Sequence, residues 1–322
     1  MQYLCFDVGY STVKTDLFMM PAVVGTSRKI RYQTGLGSDN IMFNLKVKVN
    51  EEEYFVGELA KKQSDQVFYS LDEDRYKSVE ANVLLETVLG LMAGGGEEVG
   101  VVTGLPLDYL KHKESLQAKL NGTHVTRING VKKITHVKNA IVLPQPMGVF
   151  FDRLMDRTGN IVNNSYANST VGIVDIGFGS TDIAYVKNME FIDKYSKSTD
   201  IALNSVFKSV GEAIYQEFGI TKELYELENE VLKETIRIKG QEYDVSSLID
   251  STKKSVANKL IAWISTIWKN QPEIDEIIIA GGGGIALYPY LKKEIDSKLA
   301  DNPQLAILNG YEKLSKRLKH KQ

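Results

Sequence analysis

The order of apolar and polar positions predicts a chain that opens on strands. Apolar runs at Tyr3–Val8 and Val13–Met20 flank a Gly-Tyr-Ser-Thr turn, and two shorter segments at Lys46–Val49 and Tyr54–Val56 flank an acidic turn. Short runs of this kind, bounded by turn residues, are typical of strands. We therefore predict that hairpins, and not helices, begin the fold.

A helical period first occurs in the segment that follows. In Arg75–Met92 the apolar residues recur mostly at spacings of three and four, and three glycines follow where such a helix would stop. A strand at Val99–Leu105, a helix from about Asp108, and a strand pair that turns at Asn129-Gly130 and runs on to Ala140–Leu143 complete the first half. The predicted order of this half is β-β-β-α-β-α-β.

The second half repeats the opening pattern after a polar stretch, Asn160–Ser169. A strand at Val171–Ile176, a Gly-Phe-Gly-Ser turn and a returning strand at Thr181–Val186 come first. Three helices, a small hairpin, a buried strand and a last helix that reaches about Lys298 are predicted after them. The three helices, the hairpin turn and the strand are predicted at Asn204–Phe218, Thr221–Leu232, Ser246–Trp268, Lys239-Gly240 and Glu276–Ala280.

The strongest feature of the sequence is one turn motif that occurs twice. Asp7-Val8-Gly9-Tyr10-Ser11-Thr12 aligns with Asp175-Ile176-Gly177-Phe178-Gly179-Ser180, and the offset of 168 residues is close to half of the 322-residue chain. Each turn offers backbone N–H groups and hydroxyls that suit phosphate oxygens, and an aspartate at a strand end suits Mg²⁺ bound through water. Two such hairpins predict a site for a nucleoside triphosphate.

Two further features add to this prediction. Lys14 shares a strand face with Thr12 and would place a point charge near a phosphate, whereas the second copy carries Asp182 at the matching position. The glycine run Gly281–Gly284 lies between a strand and a helix, where backbone can approach a flat ligand closely. Neither the P-loop nor the Rossmann glycine pattern is present, so those two nucleotide-binding folds are set aside.

Composition narrows the classes of function. The length suits about two domains, and 39 Lys and Arg residues nearly balance 41 Asp and Glu residues, which disfavours direct binding to nucleic acid. A single cysteine, Cys5, excludes a disulfide framework and a multi-cysteine zinc site. The sequence has neither a secretory signal pattern nor an apolar stretch of membrane-span length. We therefore predict a cytoplasmic protein that contacts neither nucleic acid nor membrane directly.

Five segments in the right order resemble the motifs of the actin superfamily of ATPases. Asp7–Lys14 and Asp175–Thr181 resemble its two phosphate motifs, Ile278–Gly283 its adenosine motif, and Leu143–Gly148 and Asn302–Tyr311 its two connecting motifs. The last segment is most similar to plasmid-segregation actins of the ParM type and to their archaeal relative. The resemblance implies an α/β, actin-like (duplicated ribonuclease-H-like) two-domain fold with a nucleotide cleft between the halves.

The resemblance also implies where the domains lie. Residues 1–145 plus 302–322 would form domain I, with a small subdomain at about 28–75. Residues 146–301 would form domain II, with a small subdomain at about 195–256.

The cofactors implied by the resemblance are ATP, with GTP as an alternative, and Mg²⁺. Gln145 would orient the attacking water and Asp175 would assist it, which suffices when phosphoryl transfer is mainly electrostatic and geometric. Asp7 and Asp175 would hold Mg²⁺ through water. The expected nucleotide-binding residues come from the two hairpins, one helix and the glycine run: Asp7, Gly9, Tyr10, Ser11, Thr12, Lys14, Gly177, Phe178, Gly179, Ser180, Thr181, Glu212, Gly281, Gly282 and Gly283.

The implied activity is that of an ATPase that polymerises into nucleotide-dependent filaments for plasmid or DNA segregation. Its expected partners are further copies of itself and an adaptor protein bound to plasmid centromere DNA. A small-molecule, sugar-type kinase of the same fold stays open as an alternative, with Asp152 or Asp156 as the base that would deprotonate the acceptor. A nucleotide-gated binding module that does not polymerise is a third interpretation.

Overall fold

The computed structural model describes residues 1–31, 40–69, 78–222, 224–269 and 273–320, with all their side chains except those of residues 224–226, 228 and 229. The chain divides into two compact units. Unit 1 contains Met1–Val162 and Ile307–Gln322, and unit 2 contains Asn163–Ala306.

Strands come first in the described chain and are then interspersed with helices. The strands are β1 (Gln2–Val8), β2 (Thr12–Thr15), β3 (Met19–Pro21), β4 (Val23–Thr26), β5 (Leu45–Val49), β6 (Glu52–Val56), β7 (Val67–Tyr69), β8 (Gly95–Leu105), β9 (Gly122–Ile128), β10 (Val131–Pro144), β11 (Thr170–Ile176), β12 (Thr181–Lys187), β13 (Glu190–Phe191), β14 (Lys197–Thr199), β15 (Thr235–Ile238), β16 (Gln241–Asp244), β17 (Glu276–Ala280) and β18 (Lys298–Leu299). The helices are α1 (Glu58–Gln63), α2 (Val79–Met92), α3 (Lys113–Leu120), α4 (Gln145–Leu154), α5 (Leu203–Phe218), α6 (Leu224–Lys233), α7 (Ser246–Trp268), α8 (Gly282–Leu291) and α9 (Ala306–His320).

Unit 1 is built on a mixed ten-stranded sheet with the order β3-β2-β1-β8-β10-β9-β5-β6-β4-β7. β1 and β10 both pair with β8 in parallel, and β2 returns antiparallel to β1. Helix α2 contacts several of these strands, and its buried Val83 and Val88 join a core that includes Phe6. The carboxyl ends of β1, β8 and β10 therefore lie at one edge of the sheet, where ligands of α/β proteins bind.

Unit 2 repeats this order on a smaller scale. Its strands follow the order β13-β12-β11-β17-β18, and β14 adds to β12. β11 is antiparallel to β12 and parallel to β17. In unit 1, β1 is likewise antiparallel to β2 and parallel to β8. Buried residues of α5, α7 and α8, among them Ile214, Trp268 and Leu287, pack with Val174 of the sheet. The repeated order confirms the predicted duplicated α/β fold.

Local patterns predict several elements well. α7 and β17 have the predicted bounds, and the β9–β10 hairpin turns at Asn129 and Gly130, whose φ angles are 49° and 82°. Two consecutive positive φ angles are typical of a type I′ turn, which Asn-Gly favours because glycine adopts this conformation without strain.

The predicted single strand Val13–Met20 is wrong. The segment forms two strands, β2 and β3, joined by a tight turn. The Thr15 hydroxyl oxygen accepts hydrogen bonds from the backbone N–H groups of Leu17 and Phe18, at 3.1 and 2.9 Å. This side-chain hydrogen bonding competes with a continuous strand, and apolar periodicity does not reveal it.

The predicted last helix of the second half is too long. α8 ends at Leu291 and does not reach Lys298, which instead begins β18, parallel to β17. The Tyr288 hydroxyl donates to the Ser297 carbonyl at 2.9 Å and holds the intervening turn against the helix.

Helix α2 ends at Met92 as predicted, but the glycines after it do not cap it. The C-cap residue is Ala93, and Gly95 and Gly96 already belong to β8. The helix begins after Ser78, whose hydroxyl accepts from the backbone N–H of Ala81 at 3.1 Å. Residues 75–77, predicted as the first turn of this helix, lie outside the described residues.

The units differ from the predicted domain bounds. Residues 146–162 group with unit 1, and residues 302–306 group with unit 2. The reason in unit 1 is that α4 packs against α9, so the chain after Gln145 stays with the first half. The predicted small subdomains, about 28–75 and about 195–256, stay predictions. Among the described residues, no helix combines the length and apolar character that a membrane span requires.

Candidate functional site

The turn between β1 and β2 is closed by its own backbone. The Gly9 N–H donates to the Thr12 carbonyl at 3.1 Å, and a Cβ atom at Gly9 would stand 3.0 Å from that oxygen. The turn between β11 and β12 has the same geometry, because Gly177 donates to the Ser180 carbonyl at 2.9 Å. Each unit thus carries one tight turn of the kind that the sequence motif predicts.

The duplication extends to the pairing of the strands. Asp7 lies opposite Lys14, and Asp175 lies opposite Asp182. The sequence offset of 168 residues therefore holds residue by residue across both hairpins.

Asp7 is the centre of a buried polar group in unit 1. Its side chain accepts from Lys14 Nζ at 3.1 Å through Oδ2 and from Gln145 Nε2 at 2.7 Å through Oδ1. Gln145 is the first residue of α4, directly after β10 ends at Pro144. The parallel order of β1, β8 and β10 therefore brings a carboxylate, a cation and an amide to one edge of the sheet.

The corresponding position in unit 2 has the opposite charge. Asp182 replaces the lysine, so two carboxylates, Asp175 and Asp182, lie on neighbouring strands with only 7% and 2% of their surface exposed. The Ser198 hydroxyl on β14 donates a hydrogen bond to Asp182. Unit 1 therefore pairs its aspartate with a lysine, whereas unit 2 places a second carboxyl group opposite its aspartate.

The donor set in unit 2 fits Mg²⁺ bound through water. Carboxylate oxygens are hard ligands, and Mg²⁺ usually keeps several waters while it takes one or two protein carboxylates. A cluster of three or more metal-ligating side chains is absent from the part of the chain that the structure describes.

The glycine run of unit 2 packs directly on its hairpin. A Cβ atom at Gly281 would stand 2.1 Å from the Ile176 carbonyl oxygen, and one at Gly283 would stand 2.6 Å from Ile176 Cγ2. The φ of Gly281 is +84°, a conformation that L side chains avoid. At Gly282 a Cβ atom would meet no described atom within 4 Å. The run thus places the N-terminus of α8 beside the turn, with open space at Gly282.

The turn of unit 2 also abuts α5. The N–H groups of Leu203 and Asn204 donate to the carbonyls of Gly177 and Phe178, at 3.2 and 2.8 Å. The Phe178 ring packs on Phe207, with 5.4 Å between ring centroids. The structure therefore uses the Phe178 side chain for packing against α5.

The remaining predicted residues differ in their surroundings. Glu212 lies on the exposed side of α5, opposite the buried Phe207 and Val210. The hydroxyl of Thr181, fully buried, donates to the Ile201 carbonyl at 2.7 Å. Ser11 and Thr12 are half-buried, and their hydroxyls lie 3.3 Å apart. The structure thus leaves the Ser11–Thr12 end of the first turn partly accessible, whereas the Thr181 hydroxyl is engaged in unit 2.

Helices α4 and α9 cross with their backbones in contact. A Cβ atom at Gly310 would stand 1.8 Å from the Gly148 carbonyl oxygen, and one at Gly148 would stand 2.6 Å from the Ile307 carbonyl oxygen. One turn further along α4, Asp152 pairs with Lys313 at 2.7 Å. Helix α4, which begins with Gln145, is therefore held against α9 by a backbone contact and, one turn further along, by an ion pair.

Two family descriptions match the chain, one in each half of it. Residues 5–148 match the family described as "Actin like proteins N terminal domain", and residues 173–293 match "Archaeal actin homologue MreB-like, C-terminal". Each match contains one of the two hairpins. The chain belongs to the actin-like proteins. No curated protein sequence matches the chain significantly.

Solved structures of actin-like proteins are similar over nearly the whole chain. A 15-stranded ParM filament from Clostridium botulinum is 26% identical with a TM-score of 0.82, and the match covers 98% of this chain and 100% of that one. Ta0583, an archaeal actin homologue solved with ADP, is 16% identical with a TM-score of 0.78 over 98% and 100% of the two chains. A Bacillus thuringiensis ParM with ATP is 18% identical with a TM-score of 0.71 over 100% of both chains. The predicted actin-like fold and the resemblance to ParM are confirmed.

Sequence reasoning missed two side chains at the site of this actin-like protein. Ser198 reaches Asp182 from a three-residue strand without a recognisable pattern. Tyr109, in a short 3-10 helix after β8, accepts from the Tyr10 hydroxyl at 3.4 Å. Tyr109 could have been found from its position just beyond the carboxyl end of a parallel strand, because ligand-contacting residues of α/β proteins concentrate there.

Proposed function

We propose that this actin-like protein binds a nucleoside triphosphate and assembles into nucleotide-dependent filaments. Its relatives support the proposal: the Clostridium botulinum ParM was solved as a filament, Ta0583 with ADP and the Bacillus thuringiensis ParM with ATP. Within this chain the support is the hydrogen bond from Gln145 to Asp7 beside Lys14. It joins an amide suited to orient water, a carboxylate and a cation at one edge of the sheet.

The two tight turns are the proposed phosphate-binding elements. Gly9–Thr12 and Gly177–Thr181 offer backbone N–H groups and hydroxyls, and Lys14 adds a point charge for a β- or γ-phosphate. Gly281–Gly283 is the proposed nucleoside-binding segment, since backbone there is open to close approach at Gly282. Glu212 stays a predicted contact to the ribose or the base.

Hydrolysis by this site would depend on positioning. A glutamine amide is not a base at neutral pH, but it can donate and accept hydrogen bonds at once. Because Gln145 Nε2 donates to Asp7, its Oε1 atom is the acceptor that would orient a water for attack on the γ-phosphate. Asp175 is proposed to assist that water. Phosphoryl transfer needs little more than such positioning and charge stabilisation, so slow hydrolysis is expected.

Asp175, with Asp7, is proposed to hold Mg²⁺ through water. When bound, the ion would neutralise charge on the phosphate oxygens. Asp175 lies opposite a second carboxyl group, that of Asp182, and Asp7 accepts hydrogen bonds from Lys14 and Gln145.

The proposed cellular role is plasmid or DNA segregation in the cytoplasm. Its support is the likeness to ParM proteins. The formal net charge of −2 argues against direct DNA binding, so an adaptor protein bound to plasmid centromere DNA would connect the filament to its cargo.

A small-molecule kinase is less well supported. The two aspartates considered as its base have structural roles: Asp152 pairs with Lys313 at 2.7 Å, and Asp156 accepts from the N–H groups of Thr158 and Asn160 at 2.8 and 3.0 Å. Hydrogen bonds from Thr158 and Asn160 also hold the pKa of Asp156 below its usual range. A carboxylate so stabilised is a weak proton acceptor.

Light scattering and sedimentation with Mg²⁺ test the filament proposal directly. Purified protein should form polymer with ATP or GTP but not with the diphosphate, and phosphate should be released in the same samples. Protein that stays monomeric at high concentration with both triphosphates would refute polymerisation. Nucleotide consumption stimulated by a metabolite would favour the kinase, and nucleotide binding without either activity would favour the binding module.

A further inference from the structure

Unit 1 carries an apolar groove whose lining shares no residue with the candidate nucleotide site. The turn between β2 and β3 forms one wall, with Leu17 and Met19, and the 3-10 helix Ile41–Phe43 forms the other. The groove encloses about 650 Å³, and Glu58 of α1 also lines it. We call it the Leu17–Phe43 groove.

The walls of this groove are unusually exposed for large apolar side chains. Leu17, Met19, Ile41 and Phe43 are 66%, 44%, 47% and 39% exposed. Taking roughly 200 Å² for a fully exposed large side chain, the four together present about 400 Å² of apolar surface. A contiguous apolar patch of this size on a soluble protein is often functional, whereas single exposed apolar residues need no explanation.

The groove is preformed. Its floor contains Phe18 and Leu91, which pack against the core of unit 1. The Thr15 hydroxyl holds the turn that points Leu17 outward, and the Asn40 side chain accepts from the Met42 N–H at 2.9 Å to begin the other wall. Turn tips favour polar residues or glycine. A leucine fixed at this one keeps its apolar surface in water, which is unfavourable, and a partner that covers it would gain free energy.

We infer that a second copy of this chain occupies the Leu17–Phe43 groove during filament assembly. The inference rests on the proposed polymerisation and names a surface for it. A head-to-tail filament needs a patch that meets a different patch on the next copy. The exposed apolar area is about half of the roughly 800 Å² that each partner buries in a stable complex. Such a contact is too small to hold a permanent dimer alone and suits an assembly that depends on nucleotide.

The charges around the groove favour a protein occupant of mixed charge. Glu58 lines the groove, while Lys62 lies over the Phe43 ring with its Nζ 5.2 Å from the centroid. Because one carboxylate and one lysine balance each other, these two side chains give no net attraction for a polyanion such as nucleic acid or acidic lipid. The chain itself offers complementary chemistry: Leu232 is 75% exposed and is followed by the exposed Lys233, which could pair with Glu58.

Leu17→Asp and Ile41→Asp test the inference. Each should raise the critical concentration for polymerisation roughly tenfold or more, because a central apolar contact carries most of an interface's energy. Each variant keeps the surface that would enter a neighbour's groove, so a small fraction of it mixed with wild-type protein should stop filament growth. Nucleotide binding and melting temperature should stay at wild-type values.

Val131→Asp is the matched control, since Val131 is 58% exposed and lies outside the groove. It should polymerise normally. If wild-type protein polymerises and both groove variants do so at the same concentration, the groove inference is overturned while the proposed function stands. If wild-type protein does not polymerise, the proposed function fails and the inference falls with it. Should Leu17→Asp fold poorly, Ile41→Asp and the milder Leu17→Ser keep the test decisive.

Discussion

The side-chain amide of Gln145 donates to Asp7 at 2.7 Å between Nε2 and Oδ1, although 138 positions separate the two residues in sequence. Asp7 is 2% exposed and Gln145 is 6% exposed. A hydrogen bond to a charged group in such a buried place is stronger than at the surface, because the local dielectric is low. It fixes the orientation of the amide, and this makes Gln145 a specific target for substitution.

Gln145→Ala should lower the rate of phosphate release about tenfold or more, because the amide that would orient the attacking water is removed. Nucleotide binding should stay measurable, because the phosphate-binding turns remain. Asp175→Asn should also lower phosphate release. The measurement is single-turnover phosphate release beside a nucleotide-binding titration. Gln304→Ala, at an exposed glutamine, is the control. Unchanged release from both Gln145→Ala and Asp175→Asn would refute the assignment of these residues.

Gly310→Ala should destabilise unit 1 strongly. The added Cβ would stand 1.8 Å from the Gly148 carbonyl oxygen, so α9 must move away from α4, at a cost of about 2–3 kcal/mol. Urea unfolding measures the loss. Gly282→Ala is the matched control for stability, because its Cβ would meet no described atom within 4 Å. Equal free energies of unfolding for both variants would contradict the close crossing of the two helices.

Elements with a local signal could be predicted from the sequence. α7 and β17 show apolar patterns complete in themselves, and their bounds, Ser246–Trp268 and Glu276–Ala280, match the structure. The two Asp-x-Gly turns could also be predicted from local sequence, because each combines a buried strand with turn residues. The duplicated fold could be predicted because this turn motif occurs twice. One pattern repeated at a constant offset of 168 residues indicates two copies of one unit.

Contacts that depend on strand pairing could not be predicted in the same way. The meeting of Gln145 with Asp7 requires β1 and β10 to flank β8, and no local pattern fixes that order. Ser198 lies 16 residues from Asp182 on a strand of three residues, too short to show a period. The Thr15 hydroxyl accepts from two backbone N–H groups in the turn at Leu17, and the Thr15 N–H donates to the Phe18 carbonyl at 2.9 Å. These local hydrogen bonds compete with the strand pattern around them.

Ser198→Ala should destabilise unit 2 by about 1–3 kcal/mol, because it removes a hydrogen bond from the buried carboxylate of Asp182. Asp182→Asn should lessen this penalty, since a neutral amide needs the hydroxyl less and no longer faces the charge of Asp175. The double variant, analysed as a double-mutant cycle by urea unfolding, should therefore show coupling. Strictly additive effects would mean that the hydroxyl does not stabilise the carboxylate.

His124 should make unit 1 more stable in acid than in base. Its Nδ1 lies 2.8 Å from Glu86 Oε1 and its Nε2 lies 2.8 Å from the Leu120 carbonyl oxygen, so both ring nitrogens donate when the imidazole is protonated. Burial by itself would lower the pKa of His124, and Lys119 acts in the same direction. The hydrogen bonds to Glu86 and Leu120 and the charge of Glu86 outweigh both, so that the pKa of His124 is raised.

The sign of the pH dependence follows from linkage. Because the folded-state pKa of His124 lies above the unfolded value of about 6.5, its stabilisation is complete below that pH and is lost as pH rises through the folded-state pKa. The melting temperature of the wild-type protein should therefore fall as the pH rises through the folded-state pKa of His124. His124→Gln should make the melting temperature depend less on pH over the same range. A wild-type profile that rises from pH 6 to 8, or one that His124→Gln does not change, would contradict a protonated His124.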